Sequence, residues 1–113
     1  MSQDSTYDRL PHRYTEGDTA PAIAGQLRDD GGNPINIAGY QFTLRLERAS
    51  GDVLIKAGAI TDAANGRFVF GDPWLATDFI PGFAQVASIE VEDAGGNIQT
   101  LPRFLIDVER RLA

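Results

Sequence analysis

In Tyr40-Gln41-Phe42-Thr43-Leu44-Arg45-Leu46-Glu47-Arg48, the apolar side chains of Tyr40, Phe42, Leu44 and Leu46 alternate without a break with Gln41, Thr43, Arg45 and Glu47. A strand sends successive side chains to opposite faces, so this period of two predicts one face in a core and one in water. A half-buried strand of this kind belongs to an antiparallel sheet with a single covered face. The rest of the chain is punctuated to match.

Upstream, Asp29-Asp30-Gly31-Gly32-Asn33-Pro34 combines glycines for positive φ, Asx side chains that bond nearby backbone, and a proline that ends a ladder. This is a turn. Before it, Pro21 to Asp29 reads as a strand with Ile23, Gly25 and Leu27 on one face and Gln26 and Arg28 on the other. After it, Ile35 and Ile37 mark a short returning strand. Downstream, Ala49-Ser50-Gly51-Asp52 turns the chain into Val53-Leu54-Ile55, and Asp62-Ala63-Ala64-Asn65-Gly66 turns it into Arg67 to Phe70. Asp72 as an N-cap with Pro73 in the first helical position predicts one helical turn over 73–78. Pro81-Gly82 ends it. Phe83 to Glu92 alternates again, Asp93-Ala94-Gly95-Gly96-Asn97 forms a hairpin tip, and Ile98 to Val108 is read as one last strand.

About seven short strands with turn signals at this spacing predict an all-β fold, an immunoglobulin-like β-sandwich of antiparallel strands. The Cys…Trp…Cys hallmark of antibody domains is absent, and an orthogonally packed barrel is the alternative. At 113 residues the chain is expected to hold one domain, spanning 14–113. Residues 1–13 lack either periodicity and are expected to form an N-terminal arm outside the core.

A formal net charge of −6 argues against a nucleic-acid partner, which would demand clustered Lys and Arg to displace counterions. Without cysteine, the fold has neither disulfides nor thiolate metal sites, as suits assembly in a reducing cytoplasm. No segment has the length and apolarity of a signal peptide or membrane span, so no membrane partner is expected.

No catalytic centre, cofactor or metal is expected. His12 is the sole histidine, which rules out a multi-histidine metal site and would place any histidine base in the arm. Neither Gly31-Gly32 nor Gly95-Gly96 leads into a helix carrying the Lys and Ser or Thr of a phosphate loop. The acidic tips, Asp29 and Asp30 with Asn33 and Glu92 and Asp93 with Asn97, are weighed as calcium ligands. Each offers few of the six or more oxygens calcium takes, so they are read as turn formers. Trp74, Phe79 and Phe83 are read as a core plug closing one end of the sandwich, with a sugar-binding platform as the competing reading.

Taken together, Glu16-Gly17-Asp18-Thr19-Ala20-Pro21, Leu27 to Gly39 with its Asp29-to-Pro34 turn, Ile80-Pro81-Gly82-Phe83, and Glu92-Asp93-Ala94-Gly95-Gly96-Asn97 with the closing strand form a pattern. It resembles the Ig-like N-terminal domain of tailed-phage baseplate upper proteins and its small stand-alone relatives, over about Thr15 to Val108. The resemblance implies a non-enzymatic structural component of a virion made in the bacterial host cytoplasm. Such an adaptor docks, in multiple copies of a symmetric assembly, onto other virion structural proteins of the tail or baseplate. A capsid decoration or cement protein is a close alternative, and a carbohydrate-binding adhesion module is one of another class. Receptor-binding family members continue into a long fibre-like part; this sequence stops at Ala113, so no receptor-binding head is expected.

Physical reasoning adds contact candidates. Tyr7, Leu10, Pro11 and His12 of the arm can order on a partner and widen an interface. Edge strands, with unpaired backbone groups, are the second candidates.

Overall fold

The computed structural model describes residues 13–112 in full and residues 4–7 as backbone. The strands run β1 Asp4–Tyr7, β2 Arg13–Thr15, β3 Ile23–Arg28, β4 Gln41–Glu47, β5 Val53–Ala57, β6 Ala59–Asp62, β7 Arg67–Phe70, β8 Gly82–Glu92, β9 Ile98–Thr100 and β10 Phe104–Glu109. They form a four-stranded sheet in the order β1-β3-β7-β6 and a six-stranded sheet in the order β2-β10-β8-β4-β5, with β9 also paired to β8. The two sheets enclose one apolar layer, so the fold is the β-sandwich expected of the alternating pattern.

β4 places Phe42, Leu44 and Leu46 in the core, and β8 adds Ala87, Ile89 and Val91 opposite. From the other sheet, Ile23 and Leu27 of β3 and Phe68 and Phe70 of β7 face them. The Phe42 and Phe68 rings stack across the gap with centroids 4.3 Å apart, 15° from parallel. Phe68 fits there because its neighbour on β3 is Gly25: a Cβ at that position would lie 2.6 Å from Phe68 Cζ. Both Asx turns are present in detail. Asp29 Oδ1 accepts from the backbone N–H of Gly31 and Asn33, each at 2.9 Å, and Asp93 Oδ1 accepts from Gly95 and Asn97, also at 2.9 Å.

Five expectations are corrected. The described residues carry ten strands in place of about seven, and β2 runs parallel to β10, Arg13 to Thr15 against Asp107 to Glu109. Residues 73–78 form no helical turn. Trp74 N–H donates to Thr19 O, Leu75 N–H to the Asp78 carboxylate at 2.8 Å, and Asp78 N–H to Leu75 O at 3.0 Å, so the segment closes as a tight turn over 75–78 tied to the 19–21 stretch. Among the described residues, the single 3₁₀ turn lies instead at Ala63–Asn65 and closes on Gly66, whose φ of +68° suits a residue without a Cβ. Ile35 and Ile37 form no strand beyond the isolated Arg28–Pro34 bridge, although Ile37 is buried. The final strand is broken at Leu101-Pro102-Arg103: β9 and β10 lie along the same edge of β8, and Leu101 turns into the core between them.

Within the stretch read as an arm, Asp4–Tyr7 lies antiparallel to β3, with Tyr7 opposite Gly25, and Arg13 opens β2. Leu10, Pro11 and His12 lie outside the described residues.

The Gly25–Phe68 fit yields a test. Gly25→Ala should push Phe68 off its stack with Phe42 and cost about 1–3 kcal/mol, as overpacking does. Thermal melting should register it as a drop of several degrees, and an unchanged midpoint would show that the ring has room to move.

Candidate functional site

Trp74 is 1% exposed and Phe79 is also enclosed, whereas Phe83 is 72% exposed. Tyr14 of β2 completes the cluster: its ring stacks on Phe79 at a centroid distance of 3.9 Å, and Trp74 meets Phe79 edge-on at 4.9 Å. One acceptor joins the two polar handles. Tyr14 Oη donates to Pro21 O at 2.7 Å and Trp74 Nε1 to the same oxygen at 2.9 Å. Burial raises the Tyr14 phenol to about 12, because ionising it there would strand a charge among rings. Trp74 and Phe79 thus form the plug expected of them, with Tyr14 as a third member and Phe83 outside it. Trp74 leaves no ring face open for a sugar.

Gly71, at φ +70°, lies against the Trp74 indole so closely that a Cβ would sit 1.9 Å from Cε2. The ring therefore has one seat. Trp74→Ala should cost about 3–5 kcal/mol, as large-to-small changes of buried aromatics do, and calorimetry should show a correspondingly lower melting temperature.

The buried polar residues among those described are Gln26, Asp78 and Gln85, and each ties loops together. Gln85 Nε2 donates to Ile80 O and Gly82 O at 3.0 and 2.9 Å, while its Oε1 accepts from Ala49 N–H. Gln26 Nε2 donates to Asn65 O at 2.9 Å. Asp78, besides receiving Leu75 N–H, pairs with Lys56 Nζ at 2.8 Å. Arg48 donates to Thr77 O and Asp78 O and pairs with Asp52, linking the 49–52 turn to the 72–78 loop. Among the described residues, no group of three or more His, Cys, Asp or Glu is placed to hold a metal, and no helix is long and apolar enough to cross a membrane.

The acidic tips behave as turn carboxylates. Asp93 is held below the ordinary carboxylate range, chiefly by the Asn97 backbone N–H, then by the Asn97 side chain and the Gly95 N–H. Asp52 is held down to about 2, first by the Arg48 guanidinium and then by the Ser50 hydroxyl. A carboxyl depressed in the folded state stabilises above its unfolded value and loses that contribution as pH falls through the folded one. For Asp52 the window runs from the ordinary value of 3.8 down to about 2. Asp93→Asn keeps an oxygen for the turn but removes the titrating charge. Melting temperatures measured below pH 4 should therefore fall less steeply for this variant than for the parent protein.

What the interior does not use, the surface displays. On the outer face of the six-stranded sheet, pairing aligns Leu105, Val86, Glu47 and Val53 in one cross-strand row and Ser88, Arg45 and Ile55 in the next. Val53, Ile55 and Leu105 are exposed there, and Val53 and Ile55 line a shallow depression of about 260 Å³ together with Arg45, Glu47 and Arg103. Arg45 is paired with Glu90 at 3.5 Å. Phe83 stands exposed at the start of β8. The contact candidates read from the sequence are the arm and, second, the edge strands, and this sheet face is not among them. The signal that points here is the apolar type of Val53, Ile55 and Leu105 at positions where a solvated strand carries polar residues.

Two facing sheets closed by an aromatic plug define an immunoglobulin-like β-sandwich whose exposed features are an apolar sheet face and turns. No family model and no curated protein matches the sequence. Among solved structures, the crystal structure of CopC from Methylosinus trichosporium OB3b is similar, with a TM-score of 0.53 and 10% identity over 97% of this chain and 93% of that one. At that identity the likeness concerns the fold alone.

Proposed function

We propose that the chain is a non-enzymatic structural component of a tailed-phage virion, an Ig-like adaptor that docks onto tail or baseplate proteins. The observation that carries the docking half is the outer face of the six-stranded sheet, where Val53, Ile55 and Leu105 stay exposed. Large apolar side chains left exposed on one face of a small domain, rimmed by charged ones such as Arg45 and Glu47, offer a seat for another molecule. The phage half is supported by the resemblance alone. Its Thr19-Ala20-Pro21 segment has a structural use here, since Thr19 O and Pro21 O receive the Trp74 backbone and indole donors. The partners under this reading are other virion structural proteins, and the protein is carried in the particle.

Purified particles separated into heads and tails and analysed by mass spectrometry should contain the chain in the tail fraction. Its confinement to heads would move it to capsid decoration, and its absence from particles would end the virion reading. Leu105→Lys, on the exposed face, should leave the melting temperature in place while reducing incorporation several-fold.

A further inference from the structure

Going beyond that reading, we infer that β5 is a self-pairing edge: two copies of this chain join antiparallel along Val53–Ala57, with the two-fold axis at Ile55, and continue the six-stranded sheet from one copy into the next.

Among the described residues β5 pairs on one side only, with β4, and ends the sheet. An end strand presents a row of unpaired N–H and C=O groups, and proteins that stay apart usually guard such a row with an outward charge, a proline or a bulge. β5, Val-Leu-Ile-Lys-Ala, has no proline, and its register with β4 is unbroken from Val53 to Ala57. Its one charge is withdrawn. Lys56 is turned to the inner side, where its Nζ is engaged by the buried Asp78 carboxylate. Val53, Ile55 and Ala57 are left on the outer side.

The sequence of the strand selects both the occupant and the register. Directly opposed residues of an antiparallel pair share a face, so outer residues must meet outer residues. With the axis at Ile55, Ile55 meets its own copy, Val53 meets Ala57, and Leu54 meets Lys56, so all five residues of β5 pair and no like charges face each other. Moving the axis to Lys56 would oppose two ammonium groups, which is unfavourable. Moving it to Leu54 would shorten the overlap within the strand to Val53–Ile55. A seam of five residues lies at the small end of specific interfaces, so the pair is weak in dilute solution and strengthens where copies are held close together.

Because the chain has no cysteine, single introduced thiols report the register directly. In the purified full-length protein, Ile55→Cys should give a disulfide-linked dimer under mild oxidation, since opposed Cα atoms in an antiparallel pair lie about 4.5–5.5 Å apart, within disulfide reach. Val53→Cys should not, because its two copies would be offset by roughly 13 Å along the seam at about 3.4 Å per residue. Sedimentation of the unmodified protein should show mass rising with concentration. Ile55→Lys should weaken that association about tenfold or more without lowering the melting temperature, because the side chain is exposed in the single copy. Equal cross-linking at both positions, cross-linking at neither, or a protein that stays monomeric at every concentration would overturn the inference. Since no particle is involved, these outcomes are independent of the virion reading.

Discussion

One backbone oxygen, that of Pro21, holds the closed end of the sandwich together. It receives the phenol of Tyr14 and the indole of Trp74, which come from β2 and from the loop after β7. Neither ring can be enclosed without satisfying its polar end, because a buried unpaired donor costs about 1–3 kcal/mol. That requirement fixes how the chain passes from β2 in the larger sheet to β3 in the smaller one. The 72–78 segment is tied to the same place, since Trp74 N–H donates to Thr19 O, two residues before Pro21.

From this end the interior is aromatic for much of its length. Tyr14, Phe79 and Trp74 give way to Phe70, Phe68 and Phe42, with rings stacked or set edge-on. Large rigid rings fill a sandwich at little entropic cost, but they demand clearance, which Gly25, Gly58 and Gly71 supply where a Cβ would strike Phe68, Phe70 or Trp74. The polar groups that enter the interior serve the same end. Gln85 fastens the 80–82 segment and the 49–52 turn, and the Lys56–Asp78 pair fastens β5 to the plug loop.

The alternation in Tyr40–Arg48 locates β4 and its buried face because period and burial coincide there, and the Asx turns are legible because their chemistry is local. Sequence and structure diverge where distant partners decide. The Asp72-Pro73 signal leads into a turn and not a helix, and what anchors that segment, Thr19 O and Pro21 O accepting the two Trp74 donors, lies far upstream. The stretch read as one last strand is interrupted just after Leu101, which still donates its N–H to Ile89 O at 2.8 Å and shares the buried side of that residue, because Pro102 has no N–H to continue the ladder. β6 escapes notice because its four residues are all exposed and so carry no alternation. The apolar outer face is hidden for a related reason: alternation assigns a residue to a side without saying whether that side is covered. For the candidate site, the plug is readable from residue type, but the membership of Tyr14 is not, since it comes from a strand far away in sequence.

The parallel pairing of β2 with β10 has a mechanical consequence. Tension between the chain before Arg13 and the chain after Glu109 would pull these two strands past one another along their length, so their mutual hydrogen bonds would bear the load together instead of breaking in succession. Arg111 reinforces the seam, donating to Glu16 O at 2.7 Å and pairing with Asp18 at 2.8 Å. A domain tied off in this way resists stretching along the direction of its own chain.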